Sequence, residues 1–363
     1  MTDCTCVEQL SVAMTTKSVT DVADNTTAAD VVTSSSRGVE FYFQCAVVVI
    51  GIVGTAANAL ILYAMVASKQ HKKLMLIFNQ NVLDVFSCLF LIITYTLKLC
   101  NIHLTGSGGY WFCMFILSDN LIWSVVLASK ANIVVVTIER YLKTVYPIWS
   151  KQRLRNWMTY VAMACAWISG YVHSSSLLYN TSDVIDGVCY AYVMWKSRES
   201  QLAYGIFYTS TYYVVVLLIF IFCYWRILLA IRRQASVMAG HSGSAASAMQ
   251  TRSNQIQSNV IKTMILVSAF YAVSDLPSNI FVSVLYTRPD LTLHAGGYHA
   301  SMFCTYLYFC VNPFIYATKF DPVKRSLVRL IPFKKNAAQT VDTIDMSASR
   351  ISATNSQARR LNV

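Results

Sequence analysis

Ile133-Val134-Val135-Val136-Thr137-Ile138-Glu139-Arg140-Tyr141-Leu142-Lys143-Thr144-Val145-Tyr146-Pro147 is an apolar run that closes on an acid and an arginine. Ionisable groups at the edge of a membrane helix are costly to place there. They usually face a bundle interior or a water-filled cavity, and they mark function. Glu139-Arg140-Tyr141 therefore implies a bilayer, a bundle and a partner for the arginine.

Composition supplies the bilayer. Of 363 residues, 55% are apolar and only 13% charged, where a soluble chain carries about 25% charged residues. Roughly 20 mostly apolar residues cross a bilayer as a helix. Seven runs have that length: 41–66, 74–97, 114–138, 157–179, 203–230, 260–285 and 299–318. Tyr, Ser and Asn inside them point to a bundle with a polar interior. A closed barrel is disfavoured, because its strands would alternate over about 10 residues each. The fold expected is an all-α membrane protein, a seven-transmembrane helix bundle.

Lys and Arg in short loops set orientation. With the amino terminus outside, the inner loops hold Lys69, Lys72, Lys73, Lys143, Lys151, Arg153, Arg155, Arg226, Arg232, Arg233, Arg252 and Lys262, and the tail adds more. The outer segments hold only Lys17, Arg37, Lys98, Lys196, Arg198 and Arg288. The net charge of +12 is thus a topology signal with contacts to anionic lipid, and no nucleic-acid partner follows from it.

Residues 1–40 are acidic and rich in Ser, Thr and Ala, and read as a disordered outer tail. Residues 1–20 lack an apolar core, so the first helix is expected to be its own insertion signal. Asn25-Thr26-Thr27 and Asn180-Thr181-Ser182 fit the glycosylation acceptor pattern, both on the expected outside. The stretch 232–258 is Ser/Ala/Gly-rich and reads as an unstructured loop. Residues 319–331 place Phe320, Val323, Leu327, Leu330 and Ile331 opposite Lys324, Arg325 and Arg329, the pattern of an interfacial amphipathic helix. Residues 332–363 read as a disordered cytoplasmic tail. The domain limits expected are therefore 1–40, 41–318, 319–331 and 332–363.

Most of the eleven cysteines lie in apolar runs and read as small hydrophobes. Cys113 and Cys189 are expected in outer loops or at outer helix ends, where disulfides persist, and are expected to pair. No zinc spacing, phosphate loop or nucleophile elbow is present in the sequence, and an enzyme is not expected.

Taken in order, these residues resemble the rhodopsin-like family of G-protein-coupled receptors over residues 40–331. The motifs are Gly54 and Asn58 in helix 1, Asn81-Val82-Leu83-Asp84 in helix 2, Trp111 and Cys113 before helix 3, and Ser129 with Glu139-Arg140-Tyr141 in helix 3. Trp167, Cys189, Tyr224, Pro277 and Asn312-Pro313-Phe314-Ile315-Tyr316 follow. The resemblance implies a mid-bundle polar pocket of Asp84, Ser129 and Asn312, often occupied by sodium in this family; a plain packing cluster is the alternative. It implies that Arg140 pairs with Glu139 at rest. Tyr316, loosened by Pro313, then swings toward Tyr224 and Arg140 as helix 6 moves outward. A heterotrimeric G protein, arrestin, receptor kinases, an extracellular ligand and a plasma-membrane location are implied with it.

Three positions depart from the family. Asp275 stands in helix 6 where an aromatic is usual. Val216 stands at the usual helix 5 proline, and Lys130 replaces a small apolar residue in helix 3. Intramembrane charges tend to pair, so Lys130 and Asp275 are expected to face each other. Lys130 reaching Asp84, or either charge facing a wet cavity, are the alternatives. Gln257 stands where an acid often restrains the arginine, which implies weaker restraint and basal signalling. From Cys113 to Arg140 is 27 residues, longer than usual, so a bulge or a longer outer end of helix 3 is expected.

By the same resemblance, the amine-binding Asp of monoamine receptors corresponds to Ile122, with Asp119 one turn further out. The Schiff-base Lys of opsins corresponds to Tyr306. The ligand-pocket candidates are Asp119, Ile122, Trp123, Tyr204, Tyr208, Tyr212, Phe281 and Tyr306, and the reading leans to a neuropeptide. A receptor-shaped scaffold or trafficking protein without G-protein coupling is the second reading. A transporter is the third, against which stands the lack of an internal repeat.

Overall fold

Each of the seven apolar runs falls on a helix long enough to cross a bilayer, the second run beginning one residue before its helix. The computed structural model describes residues 26–100, 102–192, 195–239, 245–287 and 295–319, with Lys324 and Leu327; side chains are described except at 26–37, 235–239, 245–257, 295 and 319. Helix 1 is Thr26–Ala67, helix 2 Met75–Leu99, helix 4 Asn156–Thr181, helix 6 Ala245–Thr287 and helix 7 Ala295–Lys319. Helix 3 runs from Gly106 to Val145 and helix 5 from Arg198 to Ala239, each with an irregular turn inside. The shortest, helices 2 and 7, have 25 residues. At a rise of about 1.5 Å per residue that exceeds the ~30 Å hydrocarbon core.

Five of these, helices 1, 2, 3, 5 and 6, qualify as spans on apolar composition as well as length. Helices 4 and 7 have the length but carry more polar groups: Ser169, Ser174, Ser175 and Asn180 in one, His299, Ser301, Thr305 and Asn312 in the other. Ser174 and Asn312 are buried, so part of this polarity turns inward, while Ser169 and Asn180 are exposed.

Helix 3 is the central column. Of its most apolar window 67% is buried, against 28% for helices 1 and 5. Helix 3 accordingly buries Ser129, Lys130, Asn132 and Thr137, which find partners on helices 2, 5 and 6. The outer helices expose Val49, Ile52, Val53, Leu218, Ile221, Phe222 and Trp225. Apolar surface on that scale suits lipid and not water.

Two glycines set the closest helix approaches. A Cβ on Gly54 would lie 2.6 Å from Cys88 Sγ and 2.7 Å from Cys310 Sγ, so helix 1 nests against helices 2 and 7. A Cβ on Gly170 would strike the helix 3 backbone at Ser124 and Ala128. Pro313 has no N–H for Phe309 O, four residues back. Asn58 Nδ2 supplies the missing donor at 2.9 Å, and also donates to Gly54 O at 3.0 Å.

The long outer part of helix 3 is absorbed locally. A π turn at Cys113–Leu117 leads into Asp119 at φ 62°, and the helix restarts at Asn120. Asp is among the few residues that tolerate the left-handed region. Helix 5, lacking its proline, has a π turn at Ser210–Val214 just before Val216. Tyr212 O within that turn accepts from Tyr271 OH of helix 6 at 2.7 Å.

The loop after helix 4 is a small antiparallel hairpin, β1 Asp183–Ile185 and β2 Val188–Tyr190, with Val184 opposite Cys189. Asp186 and Gly187 turn it with φ 50° and 76°, and two positive φ values make an Asp-Gly type I′ turn. The Cys113–Cys189 disulfide, Cα–Cα 5.5 Å, ties it to helix 3.

Three expected boundaries shift. Helix 1 begins at Thr26, inside the stretch expected as a tail, so the limit at residue 40 does not hold for residues 26–40. Helices 5 and 6 extend to Ala239 and from Ala245, so most of the expected 232–258 loop is helical; Ala235, Ala239, Ala245, Ala246 and Ala248 are strong helix formers. Residues 1–25, most of 319–331 and all of 332–363 lie outside the described residues. Of the amphipathic segment, Lys324 is exposed and Leu327 packs against the core.

Candidate functional site

At mid-bundle, Lys130 Nζ of helix 3 lies 2.8 Å from Asp275 Oδ2 of helix 6, with the side chains 3% and 2% exposed. A buried charge is tolerable only when paired and further hydrogen-bonded, and this pair is. Asn279 Nδ2, one turn on from Asp275, donates to the same Oδ2 at 2.7 Å. Lys130 also donates to Tyr208 OH at 3.3 Å. The ammonium sits 5.5 Å and 5.8 Å from the ring centroids of Tyr208 and Tyr271, within cation–π range. Of the three readings of Lys130, the structure has the one toward Asp275. Asp84 receives no contact from it.

Asp84 is fully buried and belongs to a second cluster. Its Oδ2 accepts from Asn312 Nδ2 at 2.9 Å and its Oδ1 from Gln80 Nε2 at 3.2 Å. Ser129 Oγ is drawn in through a short contact with the same Gln80 nitrogen. Gln80 Oε1 accepts from Asn132 Nδ2 at 2.8 Å, Asn132 Oδ1 from Asn79 Nδ2 at 2.9 Å, and Asn79 Oδ1 from Trp167 Nε1 at 3.1 Å. Helices 2, 3, 4 and 7 are thereby joined. The sodium suggested for Asp84 does not fit this donor set. Amide N–H groups already occupy both carboxylate oxygens, and Asn312 Oδ1 is the member of the set left without a hydrogen-bond partner.

At the far end, Glu139 Oε2 is 3.2 Å from Arg140 Nη2 and Glu139 Oε1 is 2.6 Å from Lys143 Nζ. Arg140 Nε and Nη2 are buried without an aligned hydrogen-bond acceptor. Tyr224 OH bonds Ser268 Oγ at 2.8 Å and Thr137 Oγ1 at 3.1 Å, and donates to Met264 O at 3.3 Å, so it ties helices 3, 5 and 6. Tyr316 is buried. Tyr141 stacks edge-on to Tyr146 at 5.9 Å. The side chain of Gln257 and all of Asn25 lie outside the described residues.

At the disulfide end, a cavity of about 590 Å³ opens between the helices, with the hairpin in its wall. Its polar lining includes Glu40, Lys98, Asp119, His173, Tyr192, Tyr204, Tyr208 and Ser278. Asp119 Oδ1 is held 2.7 Å from Lys98 Nζ, so the candidate anchor for an amine already has its cation. Burial, then the charge of Asp119, holds the Tyr192 phenol well above its ordinary pKa.

Of the pocket candidates, Asp119, Trp123, Tyr204 and Tyr208 line this cavity. Ile122 does not: it is 0% exposed and packs in the core, because the restart of helix 3 after Asp119 turns it inward. Tyr212 packs on His173 with centroids 4.9 Å apart, and Phe281 on Tyr298 at 5.6 Å. Tyr306 OH meets Tyr95 OH at 3.1 Å. Asn180 is exposed in the last turn of helix 4, its Nδ2 donating to Ser176 O at 2.7 Å.

Sequence reasoning missed Gln80, Asn132, Asn279 and Lys98. Asn279 was findable, lying four residues after Asp275 and so on the same helix face. Gln80 is likewise four residues before Asp84. Lys98 belongs to a pairing across helices that no spacing reveals.

The family described as 7 transmembrane receptor (rhodopsin family) matches residues 57–316. Similar proteins include mouse Neuropeptide Y receptor type 4, 25% identical over 73% of this chain and 72% of its own length. Mouse Substance-P receptor is 23% identical over 88% and 78%, and bovine (Bos taurus) Somatostatin receptor type 5 is 23% identical over 81% and 77%. The crystal structure of squid rhodopsin superposes with a TM-score of 0.67 at 14% identity, covering 82% of this chain and 86% of that one. Motif order, helix bundle and family match agree, and the chain belongs to the rhodopsin family of seven-transmembrane receptors.

Proposed function

We propose that this receptor binds an extracellular peptide at the disulfide end and activates a heterotrimeric G protein at the Arg140 end. The observation that carries the reading is the Lys130–Asp275 pair, which joins helices 3 and 6 between the two ends. Tyr208 accepts from Lys130, and Ser278 donates to Asp275 O at 3.0 Å. Both also line the cavity, so a ligand touching them acts directly on the lock. Weakening it frees helix 6 to pivot near Pro277 and carries Met264 and Ser268 away from Tyr224. The opened end presents the unmatched Arg140 donors to backbone carbonyls of the G protein.

A peptide is favoured because relatives are named for neuropeptide Y, substance P and somatostatin. An amine is disfavoured by the Lys98–Asp119 pair. The excess of Lys and Arg on the Arg140 side and a disulfide on the other support an amino terminus outside and a carboxyl terminus in the cytoplasm. Arrestin and receptor kinases are placed at the Ser/Thr-containing tail, and glycans at Asn25 and Asn180.

The test measures nucleotide exchange in membranes at matched surface expression, with a panel of neuropeptides and without ligand. Asp275→Asn is expected to raise ligand-free exchange, since it removes the charge attraction while keeping the shape. If a peptide recruits arrestin yet evokes no exchange on any G-protein class, the coupling reading fails and the scaffold reading replaces it.

A further inference from the structure

We propose that the Gln80 carboxamide occupies the cation position beside Asp84, held in one orientation by a one-way chain of side-chain amides, so that this bundle takes no stabilising sodium ion. The direction of the chain is set at its start. The indole of Trp167 can only donate, and its Nε1 faces Asn79 Oδ1 at 3.1 Å. Asn79 must therefore turn its NH₂ toward Asn132 Oδ1, 2.9 Å away. The NH₂ of Asn132 is then left for Leu76 O at 3.1 Å and Gln80 Oε1 at 2.8 Å. That leaves the NH₂ of Gln80 facing Asp84 Oδ1 at 3.2 Å, and in contact with Ser129 Oγ. Amide nitrogen and oxygen are assigned from their network, and this network begins at a group without that ambiguity.

Turning Gln80 over would set its oxygen against the carboxylate and its NH₂ against that of Asn132. Restoring the bonds would require inverting three amides and leaving the indole N–H of Trp167 unmatched. Gln80 is 2% exposed, and Asp84 and Asn132 are fully buried, so water offers no easy substitute. A sodium ion needs the oxygens of Asp84 and Ser129 bare. Here both face the positive end of an amide dipole, while Asn312 covers the other carboxylate oxygen. The unpartnered Asn312 Oδ1 is a single ligand oxygen and makes no coordination shell.

The test is the thermal unfolding midpoint of the purified full-length receptor, titrated with sodium chloride against choline and potassium chloride at constant ionic strength. The wild type is expected to shift by less than about 1 °C specifically for sodium. Gln80→Leu is expected to gain a sodium-specific rise of roughly 2–4 °C, which a second substitution, Asp84→Asn, removes. Gln80→Met serves if the leucine variant does not fold. A sodium-specific rise in the wild type that Asp84→Asn abolishes overturns the proposal. A folded Gln80 variant as insensitive as the wild type overturns it too, because the amide would then not be what excludes the ion. If neither variant folds, the wild-type titration decides. The readout is stability, so the result is independent of G-protein coupling.

Discussion

Ser129 and Lys130 are neighbours on helix 3, yet they feed two buried clusters of opposite character. Successive helical residues point about 100° apart, which sends Ser129 to Gln80 and Asp84 and Lys130 to Asp275. The lower cluster is a relay of neutral amides around one carboxylate, spread over helices 2, 3, 4 and 7. The upper one concentrates a full ion pair on a single contact between helices 3 and 6. A distributed network holds its helices together whichever member is strained. A single charge contact gives way as a unit. The lower cluster thus suits a scaffold and the upper one a switch, and the upper one is the cluster next to the ligand cavity.

The comparison breaks most readily at the ion pair. Lys130→Ala strands a buried carboxylate and is expected to cost about 3–5 kcal/mol, read as lost surface expression and a lower unfolding midpoint in detergent. Replacing both partners, Lys130→Met with Asp275→Leu, is expected to return stability to within about 1 kcal/mol of wild type, since apolar pairs often substitute without loss. The double variant should nevertheless lose ligand-dependent exchange. If it responds normally, the pair is a packing feature and not a switch.

The relay comes next in size. Asn132→Leu removes the partner of Asn79, Gln80 and Leu76 O together and is expected to cost about 1–3 kcal/mol, with ligand-dependent exchange retained in whatever receptor reaches the surface. Trp167→Phe withdraws only the terminal donor, and about 1 kcal/mol is expected. An Asn132 variant that loses the response while keeping its midpoint would erase the distinction between the two clusters. Smallest is Gln257→Glu, which supplies the acid that often restrains the arginine in this family, and is expected to lower basal exchange modestly without moving the midpoint. Unchanged basal exchange would leave Glu139 as the effective restraint.

Much of this was legible in the chain. Seven runs of bilayer length announced the helices, because lipid requires each backbone group to bond within its own segment. Asp275 and Lys130 announced each other, because an unpaired charge in that medium is too costly to keep. The Asp186-Gly187 turn carried its own signal, unread among apolar neighbours. Gln80 went unread although its spacing from Asp84 sets both on one helix face. Ile122 read as part of a pocket; its place depends on the rotation of helix 3, which is reset by the π turn and the left-handed Asp119.

The sequence by itself determined the number of crossings, the family and the existence of a buried pair, since these follow from local hydrophobicity, motif order and the cost of isolated charge. Only the tertiary structure decided which acid took Lys130, which side chain stood beside Asp84 and which residues lined the cavity. Those outcomes hinge on ångström distances between helices remote in sequence, which glycine contacts and irregular turns set.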